Sequence, residues 1–252
     1  MIVIDIGNSN IVIGLFSKKK LNLCIRIPTN EKKLLDTLSY YFNSNKIKIS
    51  ELAYNKCIIS SVSSLPIAKI ISFFKKKKII TLNINLKNIP NKFKFNYNSN
   101  QLGADRIANT FATINYNQKK ILVIDFGTAT TFDLISNNLY EGGLITSGIN
   151  ISLEALVNKA SKINNIDIIK TNKIIGNDTK ESMQSGFYWG YVSLINGTIN
   201  KIIKDKKIRP KIILTGGLAK IFRNEIKYKN IYEPHLTLNG LYLIGILKYA
   251  KR

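Results

Sequence analysis

Three acidic residues stand where a chain can put carboxylates to use. Asp5 closes the apolar run 1–4 and leads into Ile6, Gly7 and Asn8. Asp125 closes the apolar run 121–124 and leads into Phe126, Gly127 and Thr128. Asp105 stands beside Arg106 in GADRIANTFA, 103–112. An acid at a strand end next to glycine faces a crevice in which backbone N–H groups can approach a phosphate closely. Carboxylate and phosphate repel, so such an acid works through a cation, and Mg²⁺ held through water is the natural mediator. The other reading of each turn is an Asx-type turn, in which the Asp only ties down its own backbone. Repetition argues against that second reading. Val3, Ile4, Asp5 and Gly7 match Val123, Ile124, Asp125 and Gly127 in the same order.

Further segments extend the pattern. Thr128 and Thr130 add hydroxyls to the second turn. LTGG at 214–217 is an apolar strand entering two glycines, which let backbone pack against a flat ligand or simply form a strand–helix turn. EGGLITSGI at 141–149 is a glycine-rich floor before another helix start. Asp105 and Arg106 open a helix, whose N-terminus favours negative groups. A solvated Asp–Arg pair is the plainer account of them. Neither a GxxxxGK[ST] loop nor a GxGxxG fingerprint is present.

These turns need elements to hold them. MIVIDIG reads as a strand, NIVIGLF and KLNLCIRI as antiparallel neighbours, 31–42 as a helix, NKCIIS at 55–60 as a strand and PIAKIISFF as a helix opened by Pro66. The Asn-rich stretch 81–102 lacks periodicity and reads as a mobile surface connection into a helix over 104–116. At Lys120 the pattern restarts, with strands ILVIDFG and TTFDLIS, an approach segment NNLYEGG, and helices over 148–163 and 180–203. A strand over 211–217 and the helix LAKIFRNEI follow, and LTLNGLYLIGILKYA closes the chain as a helix. Early hairpins followed by helix–strand alternation, twice over, imply two α/β domains, 1–117 and 118–252, with mixed sheets flanked by helices. Both Asp-Gly turns would then open on one interdomain cleft.

Composition sets the limits. With 252 residues and 45% hydrophobic content the chain can bury a substantial core. The formal net charge of +23 invites a nucleic-acid reading. The positive residues are nearly all lysines spread along the chain, and arginine, the better bidentate reader of phosphates and bases, is scarce. No specific nucleic-acid partner is expected. Cys24 and Cys57 lie in apolar strand-like runs and read as free thiols. A single histidine, His235, leaves no zinc pattern. The first residues form a strand containing Asp5 rather than a signal peptide, and no apolar run reaches bilayer-spanning length, so a cytoplasmic protein with no membrane partner is expected.

In order and spacing, DIGNSN at 5–10, GADR at 103–106, DFGTATTFD at 125–133, EGG…SG at 141–148, GNDT at 176–179 and LTGG at 214–217 resemble the type III pantothenate kinase family, across almost the whole chain. That family belongs to the acetate/sugar kinase–Hsp70–actin superfamily, whose duplicated ribonuclease H-like (actin-like) domains hold the active site in the cleft between them. The resemblance implies ATP-dependent phosphorylation of the primary hydroxyl of pantothenate to 4'-phosphopantothenate, the first step of coenzyme A synthesis. It also implies a homodimer that uses Mg²⁺ and a monovalent cation, K⁺ or NH₄⁺. By position, Asp5, Ile6, Gly7, Asn8, Ser9, Asn10, Ile11 and Val12 match the first phosphate segment, with Asp5 organising Mg²⁺-ATP. Asp105 matches the proton acceptor. Tyr97, Gly103, Ala104, Asp105 and Arg106 match pantothenate-binding residues, and Thr179 a further substrate contact near the dimer interface. Asp125 matches the monovalent-cation ligand and Thr128 an ATP contact. Ser9 stands where the family usually has threonine, and Ser99 and Ser147 where it usually has proline. Two rival readings stand beside it: a kinase for another small alcohol or sugar on the same fold, and a basic regulatory protein that binds nucleotide or nucleic acid, which the +23 charge favours but which has no need of Asp105.

Overall fold

The structure is a computed structural model that describes residues 1–44, 46–47, 55–98, 100–160 and 164–249. Ser99 and the end of the helix expected over 148–163 lie outside the described residues. The chain divides into two compact units. The first comprises Met1–Asn117, Asn138–Tyr140 and His235–Arg252; the second, Gln118–Asn137 and Glu141–Pro234.

The first unit is built on five strands: β1 (Ile2–Ile6), β2 (Asn10–Ser17), β3 (Lys20–Pro28), β4 (Lys56–Ser61) and β5 (Ile80–Asn83), in the sheet order β3-β2-β1-β4-β5. The β1–β2 and β2–β3 pairs are antiparallel, and β1–β4 and β4–β5 are parallel. Helices α1 (Glu31–Asn43) and α2 (Ile67–Lys76) place Leu34, Leu38, Phe42, Ile70 and Phe74 into a core with Ile2, Ile4, Ile6 and Ile59. Asn30 caps α1 by accepting from the Lys33 N–H at 2.9 Å, which satisfies one of the free donors of the first turn.

The Asn-rich stretch is more structured than its sequence implies. It holds β5 and a two-residue strand β6 (Lys94–Phe95), and asparagine side chains stitch the turns between them. Asn88 donates to the Asn83 carbonyl at 2.8 Å and accepts from the Asn85 N–H at 2.9 Å. Short amide side chains here do the bonding that a regular ladder does elsewhere. The helix expected over 104–116 is α3 (Ala104–Ala112), ending in a 3₁₀ turn, Thr113–Tyr116.

The second unit repeats the plan. Strands β7 (Lys120–Phe126), β8 (Ala129–Ser136), β9 (Leu139–Ser147), β10 (Lys211–Thr215) and β11 (Asn230–Tyr232) run in the order β11-β10-β7-β8-β9. The β7–β8 pair is antiparallel, and β7–β10 and β10–β11 are parallel. Helices α4 (Ile149–Lys159), α5 (Thr179–Lys206) and the short α6 (Ala219–Phe222) flank the strands. Tyr188, Tyr191, Val192, Ile195 and Ile199 of α5 pack onto Leu122, Ile124, Phe126 and Phe132.

The last helix, α7 (Leu236–Tyr249), departs from the division at 117/118: it packs in the first unit, on α3 and β1. The reason is steric. Gly240 lies so close to α3 that a Cβ there would stand 1.8 Å from the Ala108 carbonyl oxygen. Among the described residues no helix is long and apolar enough to cross a membrane.

Candidate functional site

Asp5 is the last but one residue of β1. It pairs with Val12 on β2 and with Ser60 on β4. Ser60 is fully buried, and its hydroxyl donates a short hydrogen bond to the Asp5 carboxylate. The turn after Asp5 closes on itself, the Gly7 N–H donating to the Asn10 carbonyl at 3.0 Å. Thr29, just past the end of β3, braces the turn, its hydroxyl on the Gly7 carbonyl at 2.8 Å and its N–H on the Ser9 carbonyl at 3.0 Å. Within 5–12, Ile6 and Ile11 point into the core, whereas Asn8 and Ser9 at the tip are exposed. A phosphate can therefore meet only backbone and short polar side chains at this turn.

Asp105 lies in the first turn of α3. Its carboxylate accepts from the Arg106 N–H at 2.8 Å and folds back over Gly103, where a Cβ would stand 2.5 Å from the Asp105 oxygen. Only glycine leaves room for this arrangement. The charge of Asp105 reaches Asp5. Burial, and then the nearby Asp105 carboxylate, push the Asp5 pKa up from 3.8 to about 7, against the Ser60 hydrogen bond and the Arg26 charge that pull it down. Ala104 and Arg106 are buried, and the Arg106 guanidinium lies 5.6 Å from the Tyr97 ring centre. The first unit thus gathers Asp5, Tyr97 and all of 103–106.

Asp125 holds in the second unit the place that Asp5 holds in the first. It pairs with Thr131 on β8 and Thr215 on β10. The Gly127 N–H closes the turn on the Ala129 carbonyl at 3.1 Å. Gly216 has φ +90°, the left-handed region that favours glycine, and a Cβ on it would stand 2.5 Å from the Asp125 carboxylate. The first glycine of LTGG is thereby explained by its left-handed backbone and by its close approach to Asp125 and the Phe126 backbone. Thr128 is exposed at the turn tip, and its carbonyl accepts from the Gly148 N–H at 3.0 Å, which ties the EGG…SG segment to this turn. Thr131 also donates to the buried Asp133 at 3.0 Å.

Thr179 stands elsewhere in the unit, exposed at the head of α5. Asp178 caps that helix through the Glu181 N–H at 2.8 Å, and Glu181 reaches back to the Asn177 N–H at 3.0 Å. The GNDT motif is thus first of all a capping motif. Thr179 also lines an open groove of about 670 Å³ with Gly176, Asn177, Ser182 and Met183.

Sequence reasoning passed over Ser60, Thr29, Arg26 and Tyr140. Ser60 carried a signal, as a polar residue closing the apolar run Cys57, Ile58, Ile59 on a strand next to β1.

An acid turn at the end of a central strand, flanked by a parallel and an antiparallel neighbour, is present twice in an α/β fold of mixed sheets flanked by helices. The same fold is seen in the activator of the 2-hydroxyisocaproyl-CoA dehydratase from Clostridium difficile, at a TM-score of 0.55, 11% identity and coverage of 98% of this chain and 96% of that one. The model of the type III pantothenate kinase family matches residues 1–201. The chain is 37% identical over 242 residues to a type III pantothenate kinase from Pelagibacter ubique, covering 96% of each. It is 35% identical over 252 residues to one from a Sulfurihydrogenibium species, covering 97% of this chain and 98% of that one. This chain belongs to the type III pantothenate kinase family. It is a phosphotransferase, and the reaction its family carries out is ATP-dependent phosphorylation of pantothenate.

Proposed function

We propose that this chain transfers the γ-phosphate of ATP to the primary hydroxyl of pantothenate, with Asp105 accepting the hydroxyl proton. The observation that carries the assignment of residues is the electrostatic coupling of Asp5 and Asp105. A residue matched to the phosphate donor and a residue matched to the acceptor's proton share one local field.

The donor sets suit the ions the family implies. No group of three His, Cys, Asp or Glu side chains among the described residues can hold a metal alone, so a divalent ion at Asp5 needs further oxygens, such as those of a nucleotide. The mutual repulsion of Asp5 and Asp105 is what a divalent cation relieves. At Asp125 the register neighbours Thr131 and Thr215 add neutral oxygens to one carboxylate, a set suited to a larger, weakly hydrated monovalent ion. When bound, Mg²⁺ at Asp5 would offset phosphate charge, and K⁺ or NH₄⁺ at Asp125 would offset the charge of that carboxylate.

The chain's own residues do the rest. Each turn tip, Asn8 and Ser9 in the first unit and Thr128 in the second, carries exposed polar groups suited to phosphate oxygens. Arg106, with Tyr97 against it, holds the pantothenate carboxylate. Asp105 is kept in place by the Arg106 N–H and the space over Gly103. In a loose phosphoryl transfer little proton abstraction is needed early, so a carboxylate suffices as acceptor.

The family likeness and one surface support a homodimer. Ile174 and Ile175, close before the head of α5, are 68% and 78% exposed, and exposed apolar side chains of this kind are typical of faces that pair. The proposed setting is the cytoplasm.

The test is phosphate transfer from ATP to a panel of small alcohols, including pantothenate, glycerol and a sugar. Wild type should prefer pantothenate, and Asp105→Asn should keep nucleotide binding while kcat falls roughly 10²-fold or more. Near-normal turnover in Asp105→Asn would remove Asp105 from the role. Preference for a sugar would move the chain to the rival kinase reading.

A further inference from the structure

We propose that Tyr140 is a positioning residue for Arg106 and through it sets affinity for the carboxylate end of the substrate. The inference rests on the reading of Arg106 as the group that holds that carboxylate. Arg106 is only 4% exposed. Its guanidinium carbon lies 5.6 Å from the Tyr97 ring centre and 5.8 Å from that of Tyr140. The two rings are 5.9 Å apart with planes at 76°, so they form a corner around the cation.

The two walls of the corner differ. Tyr97 is half-buried on the connection between β6 and α3. Tyr140 is fully buried at the start of β9 and cannot reach a substrate itself. It is anchored three ways. The Tyr140 carbonyl accepts from the Asn96 N–H at 3.0 Å, Phe95 on β6 is its register partner, and the Phe95 ring lies 5.6 Å from its own. One residue earlier Lys94 pairs with Leu139, and the Lys94 N–H donates to the Asn138 carbonyl at 2.9 Å. These contacts explain why the tripeptide Asn138–Tyr140 groups with the first unit while the residues on either side group with the second.

An arginine side chain has many rotamers, and binding a carboxylate requires its planar fork to be in one of them. Aromatic faces hold the cation by the attraction of the ring quadrupole, which is stronger away from water. Tyr140 thus fixes the fork before the substrate arrives, and a strand is a firmer base for this than the connection that carries Tyr97.

The experiment compares steady-state kinetics of Tyr140→Phe and Tyr140→Met, the second filling the space with no ring face. Each is run with pantothenate and with its neutral carboxamide analogue. Tyr140→Met should raise KM for pantothenate about tenfold, with kcat and KM for ATP within about twofold of wild type. The KM for the carboxamide should stay unchanged, and Tyr140→Phe should behave as wild type. Should Tyr140→Met not fold, 3,5-difluorotyrosine at 140, which keeps the ring but weakens its π face, should raise the pantothenate KM in the same direction. Unchanged pantothenate KM in Tyr140→Met or the fluorinated protein, or an equal rise for the carboxamide, overturns the proposal. Arg106→Met separates the two levels. If it too leaves pantothenate KM unchanged, the reading of Arg106 has failed; if it alone raises KM, only the role of Tyr140 has.

Discussion

The carboxylate of Asp105 adds to burial in holding the Asp5 pKa near 7, so the first residue of one motif is tuned by the third residue of another a hundred positions later. Two acids placed in this way are under repulsion when both are ionised. The tension lies in the folded state and has a measurable pH signature.

Asp5 binds its proton more tightly in the folded chain than in the unfolded one, where its pKa is 3.8. Its ionisation therefore costs no stability below about pH 4, and an increasing amount as pH rises to about 7, reaching at most about 4 kcal/mol above that. Asp5→Asn keeps an acceptor for the Ser60 hydroxyl and removes the charge. In metal-free buffer without nucleotide, Asp5→Asn should melt several degrees above wild type at pH 8 and level with it near pH 4. The same variant should lose most ATP-dependent activity. A wild-type melting temperature that is flat from pH 4 to 8 would contradict the shift.

The two acid turns differ in their neighbours. Across the antiparallel pair Asp5 faces Val12, and Asp125 faces Thr131. Asp125→Asn should flatten the potassium dependence of the rate and abolish any rise in melting temperature on adding potassium chloride over sodium chloride. Thr131→Val, which gives the second turn the neighbour of the first, should raise the potassium concentration needed for half-activation several-fold. Asp5→Asn should instead weaken the magnesium response and leave potassium dependence visible in the residual rate. A full potassium response in Asp125→Asn would show the division of labour to be wrong.

Gly240 lets α7 approach the backbone of α3 three residues beyond Asp105. Gly240→Ala forces the helices apart, and overpacking of this kind costs typically 1–3 kcal/mol. It should lower both the urea midpoint and kcat. At Gly197 on α5 a Cβ would meet nothing within 4 Å, so Gly197→Ala should stabilise by about 1 kcal/mol from helix propensity alone. Equal effects of the two substitutions would remove the steric argument.

Much of this was legible from the residues. The hairpins around Asp5 and Asp125 carry alternating or continuous apolar runs bounded by glycine, a local signal that sequence carries well. Strands β5, β6 and β11 leave little local signal, because they are two to four residues long and exist by pairing with strands elsewhere in the chain. The place of α7 was not legible either. Its sequence is apolar around most of its circumference and names no partner; close fits such as Gly240 against Ala108 and Gly245 against Met1 and Ile58 place it. Tyr140 acts through cross-strand register, which no local pattern reveals, and Ser60 is marked locally only as the polar end of an apolar run.

The return of α7 to the first unit bears on how the chain is made. A ribosome delivers residues in order, and domains generally fold as units, the N-terminal one first. Here that order cannot be completed. Met1 and Ile58 pack against Gly245, so the first unit remains unfinished until the final helix has been synthesised, after the whole second unit has emerged. The nascent first sheet must wait, with part of its apolar surface uncovered, until α7 has emerged.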